Sequence, residues 1–130
     1  RSSFRDQEIR PVLFDTTQLA LERAIGGAAQ RHTALANNLA NVNTPGYQRV
    51  DVDFHGTLAS AMAASDPRSA VGRTAFSAER DAAAVTRADG NSVDADAEAA
   101  KLAANALDQQ AAVSVAHTRI QILRSAMGVQ

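Results

Sequence analysis

The chain contains no cysteine and no tryptophan. The missing thiols exclude disulfides, thiolate metal sites and a cysteine nucleophile. Aromatic residues make up 4% of the 130 positions, and only three prolines and seven glycines punctuate them. No apolar run approaches the ~18 residues of a membrane span. Neither sign of charge dominates: 13 Lys and Arg meet 14 Asp and Glu, for a formal net charge of −1. That balance argues against a nucleic-acid binder, which carries a basic stripe. Residues 1–11 are polar and show no apolar core of the signal-peptide kind. The chain begins with Arg rather than Met, as a fragment or a processed form does.

Alanine is what the chain has in abundance. There are 29 Ala against 9 Leu, 4 Ile, 10 Val and 4 Phe. Burying one methyl is worth about 0.8 kcal/mol, against about 1.5–3 for a whole Leu or Phe side chain. The large apolar residues are therefore too few to favour a self-sufficient core. Alanine is also the best helix former. The composition predicts long helices that find part of their burial in partners, in a chain that gains helix on assembly. The length suits one small domain or one elongated module.

Residues 1–13 are polar and interrupted by Pro11, which predicts a flexible tail. Asp15, with Gln18 three positions on, reads as the N-cap of a first helix over 14–44, and Phe14 and Leu19 flank it as a hydrophobic staple. Its apolar positions recur in steps of three and four: Phe14, Leu21, Ala28, Leu35 and Val42, then Ile25, His32 and Leu39. That is a heptad seam. Gly26-Gly27 weakens it by roughly 1 kcal/mol per Gly relative to Ala. The pair marks either simple tolerance or close approach of another helix. Pro45 must end the helix, and Thr44-Pro45-Gly46-Tyr47 fits a type II turn. Over 45–64, the alternation of Val50, Val52 and Phe54 predicts a short extended segment, followed by a short helix from Thr57 to Ala64. Residues 65–92 show turn signals at Asp66-Pro67, Gly72 and Asp89-Gly90-Asn91 but no period, and read as a mobile connector. A second long helix occupies 93–130, with Asp94, Asp96 and Glu98 at the positive end of its dipole. Its seam reads Ala99, Ala106, Val113, Ile120 and Met127, interleaved with Leu102, Gln109, Ala116 and Leu123. Val115, Ile122 and Val129 add a further stripe, so this helix calls for more than one neighbour. The fold class is thus all-α: two long terminal helices packed coiled-coil-like as an antiparallel hairpin. The seam residues with most weight are Leu21, Ile25, Leu35, Leu102, Val113, Ile120, Leu123 and Met127.

Chemistry is sparse. Asp51, Asp53 and His55 alternate and would share one strand face as a metal site, but a solvated polar face explains them better. His32 reads as a packing residue, and His117 has no acid or nucleophile at a relay spacing. No phosphate loop, H-E-x-x-H or G-x-S-x-G occurs. The reading is a protein without catalytic activity, cofactor or metal.

The distinctive feature is a run of amides. Asn37, Asn38, Asn41 and Asn43 crowd the end of the first helix. Asn competes with the backbone for hydrogen bonds, so four in seven residues are costly unless the amides meet partners. A helix cap explains one or two of them; a hydrogen-bond cluster between subunits would use all four. The full stretch Ala36-Asn37-Asn38-Leu39-Ala40-Asn41-Val42-Asn43-Thr44-Pro45-Gly46-Tyr47 resembles the N-terminal signature of bacterial flagellar rod and hook proteins. Val50-Asp51-Val52-Asp53-Phe54 and Asp89-Gly90-Asn91-Ser92-Val93-Asp94 are similar to the proximal rod subunits in particular, and the short middle fits a rod subunit better than the hook. The resemblance spans roughly residues 14–56 and 87–127. Asp108-Gln109-Gln110 departs from it, standing where the family has bulky apolar residues.

The resemblance implies a structural subunit of the basal-body rod, assembled helically into a hollow shaft for motility. A different axial rod subunit is the alternative, and a soluble helical adaptor or chaperone a more distant one. It implies terminal helices packed as an inner layer, and export through a dedicated type III gate to a periplasmic rod. The implied partners are copies of the chain, other rod subunits, the rod–membrane-ring junction protein and the export gate. Nucleic acid and small-molecule substrates are not among them. The implied interface motif is residues 37–47, beside the helix seams.

Overall fold

A computed structural model describes residues 3–128, with side chains from Thr16 to Gly128. Helix α1 runs Ser3–Ala40, strand β1 Val50–Asp51, α2 Phe54–Met62, α3 Pro67–Gly72, β2 Glu79–Arg80 and α4 Ala95–Ala126. The long helices α1 and α4 pack together. Their sense is antiparallel. Asn38, near the end of α1, reaches Glu98 near the start of α4 at 3.3 Å, and the carbonyl of Ala28 accepts from Asn105 at 2.8 Å. At ~1.5 Å per residue, the 32 residues of α4 make one long arm of this hairpin.

Local chemistry explains the helix starts. Asp94 accepts from the amides of Asp96 and Ala97, at 3.0 and 3.3 Å, and caps α4. Asp96 and Glu98 lie in its first turn and Arg124 in its last, as the dipole prefers. Asp53 caps α2 through the Gly56 amide, and Asp66 caps α3 with Pro67 at its first position.

The middle of the chain folds as a strap along α1. Strand β1 pairs antiparallel with β2, Val50 opposite Arg80 and Asp51 opposite Glu79. Both α2 and α3 pack on α1 and on each other. The core sits under this strap: Ala28, Ala34, Val52 and Phe54, ringed by Ala24, Val50, Leu58 and Phe76. Phe54 stands edge-on to Phe76, with ring centroids 6.3 Å apart. Gly27 makes room for it, since a Cβ there would lie 2.6 Å from that of Phe54. Gly26 beside it has nothing within 4 Å. Of the two readings of the glycine pair, close approach therefore applies to Gly27, and what approaches is an aromatic ring.

Several expectations change. Helix α1 begins at Ser3, so 3–13 is helix rather than tail, and Asp15 lies inside it; Arg1 and Ser2 are outside the described residues. Between Ser3 and Asp15 Pro11 is the only strong breaker, and the helix continues through it. The short helix starts at Phe54 rather than Thr57, because Asp53 caps it there. The connector 65–92 carries α3 and β2, and buries Val71 and Asn91 completely, so it has fixed contacts of its own. His32 is exposed rather than packed.

The largest change concerns α4. Its row Leu102, Gln109, Ala116 and Leu123 does turn inward. The companion row is not Ala99, Ala106, Val113, Ile120 and Met127. It is the row one residue earlier, with Glu98 and Asn105 fully buried. Val113, Ile120 and Met127 are 48%, 40% and 69% exposed. On α1, Leu35 is fully buried, while Leu21 and Ile25 are half-buried, as are Leu102 and Leu123 on α4.

Candidate assembly surfaces

The amide run sits where α1 ends, and the structure divides it into inner and outer members. Asn38 is fully buried. Its Nδ2 donates to the carbonyl of Val50 at 2.7 Å and to Glu98 at 3.3 Å. Its Oδ1 accepts from the Val50 amide at 3.0 Å and from the Tyr47 hydroxyl at 3.2 Å. One side chain thus closes the edge of β1 as a neighbouring strand would. Asn41 is local: its Nδ2 donates to the Asn37 carbonyl at 2.8 Å and its Oδ1 accepts from Thr44. Leu39 and Val42 are half-buried. Asn37, Ala40, Asn43, Thr44 and Pro45 are exposed. An intersubunit cluster using all four amides is therefore not what is built, because Asn38 is spent inside the chain.

The turn behaves as expected. Gly46 has φ +76°, and the Tyr47 amide donates to the Thr44 carbonyl at 3.2 Å. A second turn packs on it. Gly90, at φ +82°, would place a Cβ 3.2 Å from the Gly46 Cα, and the Gly46 amide donates to the Asp89 carbonyl at 2.9 Å. Asn91 fixes this junction. Its Nδ2 donates to the carbonyls of Asn41, Val42 and Thr44 at 2.9, 3.2 and 2.8 Å. Those carbonyls lie just past the end of α1, and Asn91 ties them together from outside the turn's own amide bonds.

Beside the junction lies a buried ion network. Arg49 is nearly fully buried and binds Glu98, Asp81 and Asp51. Arg31 grips Asp51 with two bonds, at 2.8 and 3.3 Å. Burial alone would lower the Arg49 pKa, but its bonds to Glu98 and Asp81 outweigh this and raise it. Burial likewise pushes the Asp51 carboxyl up; bonds from Arg31 and the Val52 amide hold it below its ordinary 3.8. Removing one member would strand a buried charge.

This network also disposes of the alternating Asp51, Asp53 and His55. They border an open groove of about 610 Å³ but do not converge. Asp51 pairs with the two arginines, Asp53 caps α2, and His55 meets Asp108 on α4 at 3.0 Å. Sequence reasoning did not single out Arg49, Asp81 or Asn105; it read Asn91 only within a turn and within the family resemblance, and Glu98 only as a dipole complement. A polar residue every seven positions, Glu98 then Asn105, was the available signal.

The remaining surface feature is apolar. Val113, Ile120 and Met127 form one outward row on α4; Leu107, Val115 and Ile122 are exposed on other sides of the same helix. Large apolar side chains exposed in a row mark an interaction surface. No helix among the described residues is long and apolar enough to cross a membrane, so lipid does not explain the row as a span.

Comparison with known proteins bears on which interaction this is. A family model described as "Flagella basal body rod protein" matches residues 21–48, the amide run and turn included. The flagellar basal body rod protein FlgB of Escherichia coli (strain K12) is 34% identical over 116 residues, covering 77% of this chain and 84% of that protein. FlgB of Salmonella typhimurium is 30% identical with the same coverage.

Proposed function

The chain belongs to the FlgB-like flagellar basal body rod proteins, and from that membership we propose how its surfaces serve the rod. It is a structural subunit of the basal body, in the proximal part of the periplasmic rod. Its work is mechanical rather than catalytic. The carboxylates and guanidiniums that converge inside it neutralise one another and hold three segments together.

The outward row Val113, Ile120 and Met127 is the main contact with neighbouring subunits, copies of this chain and other rod proteins. Its exposure is the observation that carries this reading. A rod needs heterologous, non-closing interfaces, so each subunit must present apolar surface beyond what its own hairpin covers. Asn37, Asn43 and Pro45 form a second, polar contact at the end of α1, where they face outward. The buried members of the 37–47 motif act indirectly, by shaping that end. The junction with the membrane ring and passage through the type III export gate complete the set of partners.

The test is complementation of a motile bacterium that lacks this subunit. Ile120→Asp changes an exposed position, so the isolated chain should keep its stability within about 0.5 kcal/mol. The variant should be exported and folded, yet fail to restore swimming or complete rods. Normal swimming with Ile120→Asp would refute the assignment of this face.

A further inference from the structure

We propose that the buried polar row of α4 selects which face of that helix closes on α1, and thereby keeps the apolar row outward. Two rows compete for the inward position. They are one residue apart, which is about 100° around a helix. One holds Glu98 and Asn105; the other holds Val113 and Ile120. On burial of apolar area alone the second row should face α1. The structure has the reverse, with Glu98 1% and Asn105 0% exposed.

Two hooks account for this. Asn105 Nδ2 donates to the carbonyl of Ala28, midway along α1, at 2.8 Å. Glu98 receives the guanidinium of Arg49 and the amide of Asn38, both buried. Turning α4 by one residue would leave that guanidinium and that amide without the carboxylate. A buried unpaired charge is costlier than the apolar area gained. Asn105 adds an argument of its own. Its Oδ1 is buried without a hydrogen-bond partner, a cost that an apolar residue would not carry. A residue that costs stability yet fixes orientation behaves like the polar a-position residues that set register in coiled coils.

The use made of the outward row rests on the proposed function, but the selection does not, so it is tested on the isolated chain. The chain has no cysteine, so single thiols report which face is covered. Ala106→Cys reports the outer row and Ala116→Cys the inner face. In the native background the first thiol should react with a maleimide at least about tenfold faster than the second. The same thiols are then placed in an Arg49→Met, Glu98→Ala, Asn105→Ala background. With helix content retained by circular dichroism, the ratio should fall at least about tenfold as the outer row turns inward. An unchanged ratio would show that the hooks do not choose the face. Both thiols reacting as fast as in urea would show that the hooks are needed for closure itself. Either result overturns the proposal. Neither touches the assembly reading, which Ile120→Asp tests separately.

Discussion

Two adjacent glycines give a sharp test of the core. Replacing Gly by Ala inside a helix gains about 1 kcal/mol from propensity alone. At Gly26 nothing lies within 4 Å of the added methyl, so the full gain should appear. At Gly27 the methyl would meet Phe54 Cβ at 2.6 Å, Phe54 Cγ at 2.8 Å and Phe76 Cε2 at 3.0 Å. Phe54 is buried and begins α2, so the ring cannot yield without moving the strap. Overpacking costs about 1–3 kcal/mol, and partial exposure of the ring takes up to about 1.5–3 more. After subtracting the propensity gain, Gly27→Ala should destabilise by about 1.5–5 kcal/mol. At roughly 4 °C per kcal/mol for a chain of this size, Gly26→Ala should melt about 4 °C higher and Gly27→Ala about 6–20 °C lower. Thermal unfolding followed by helix ellipticity reads both. If the two shift in the same direction, the seating of Phe54 over α1 is not as described.

Other outcomes follow from the junction and its ion network. Asn38→Ala should cost about 2–4 kcal/mol, since it strands the Val50 amide and carbonyl, whereas exposed Asn37→Ala should stay within about 0.5 in urea unfolding. The Asp51 carboxyl is held below 3.8 in the folded chain, so its stabilisation is complete above that pH and is lost as pH falls through the folded value. The difference in melting temperature between the native chain and Asp51→Asn should therefore be largest near neutrality and shrink on acidification; a constant difference would contradict this. Gly46→Val should destabilise the monomer as well as the assembly, because φ +76° is hostile to a β-branched residue. Unaltered thermal unfolding of Gly46→Val would count against that.

What could be read from the chain was what depends on neighbours in sequence. The start of the last helix near Asp94, the positive-φ turn at Gly46 and the two long helices all have local causes. The contacts that decide the interior span large separations: Arg49 to Glu98 over 49 residues, Asn38 to Glu98 over 60. Periodicity showed that α4 had apolar rows. It had no means of telling a row that faces α1 from one that faces outward, because both are patterned alike. The segment 65–92 looked structureless for a related reason. It is held by single anchors, Val71, Phe76 and Asn91, too far apart to make a period. The amide run was legible as unusual. Its division into a buried Asn38 and an exposed Asn37 needed the position of β1.

Asn91 has a consequence in time as well as in space. It completes the end of α1 from 50 residues downstream, and Arg87 reaches the Val42 carbonyl over nearly the same interval. A ribosome delivers the N-terminal end first. Until Asn91 is made, the turn after α1 is held only by its own local bonds, such as those from the Thr44 and Tyr47 amides. Glu98, which must meet Asn38 and Arg49, arrives later still. The end of the helix is therefore drafted early and fastened late, once Asn91 and Glu98 have followed it out. The position of one asparagine sets that delay.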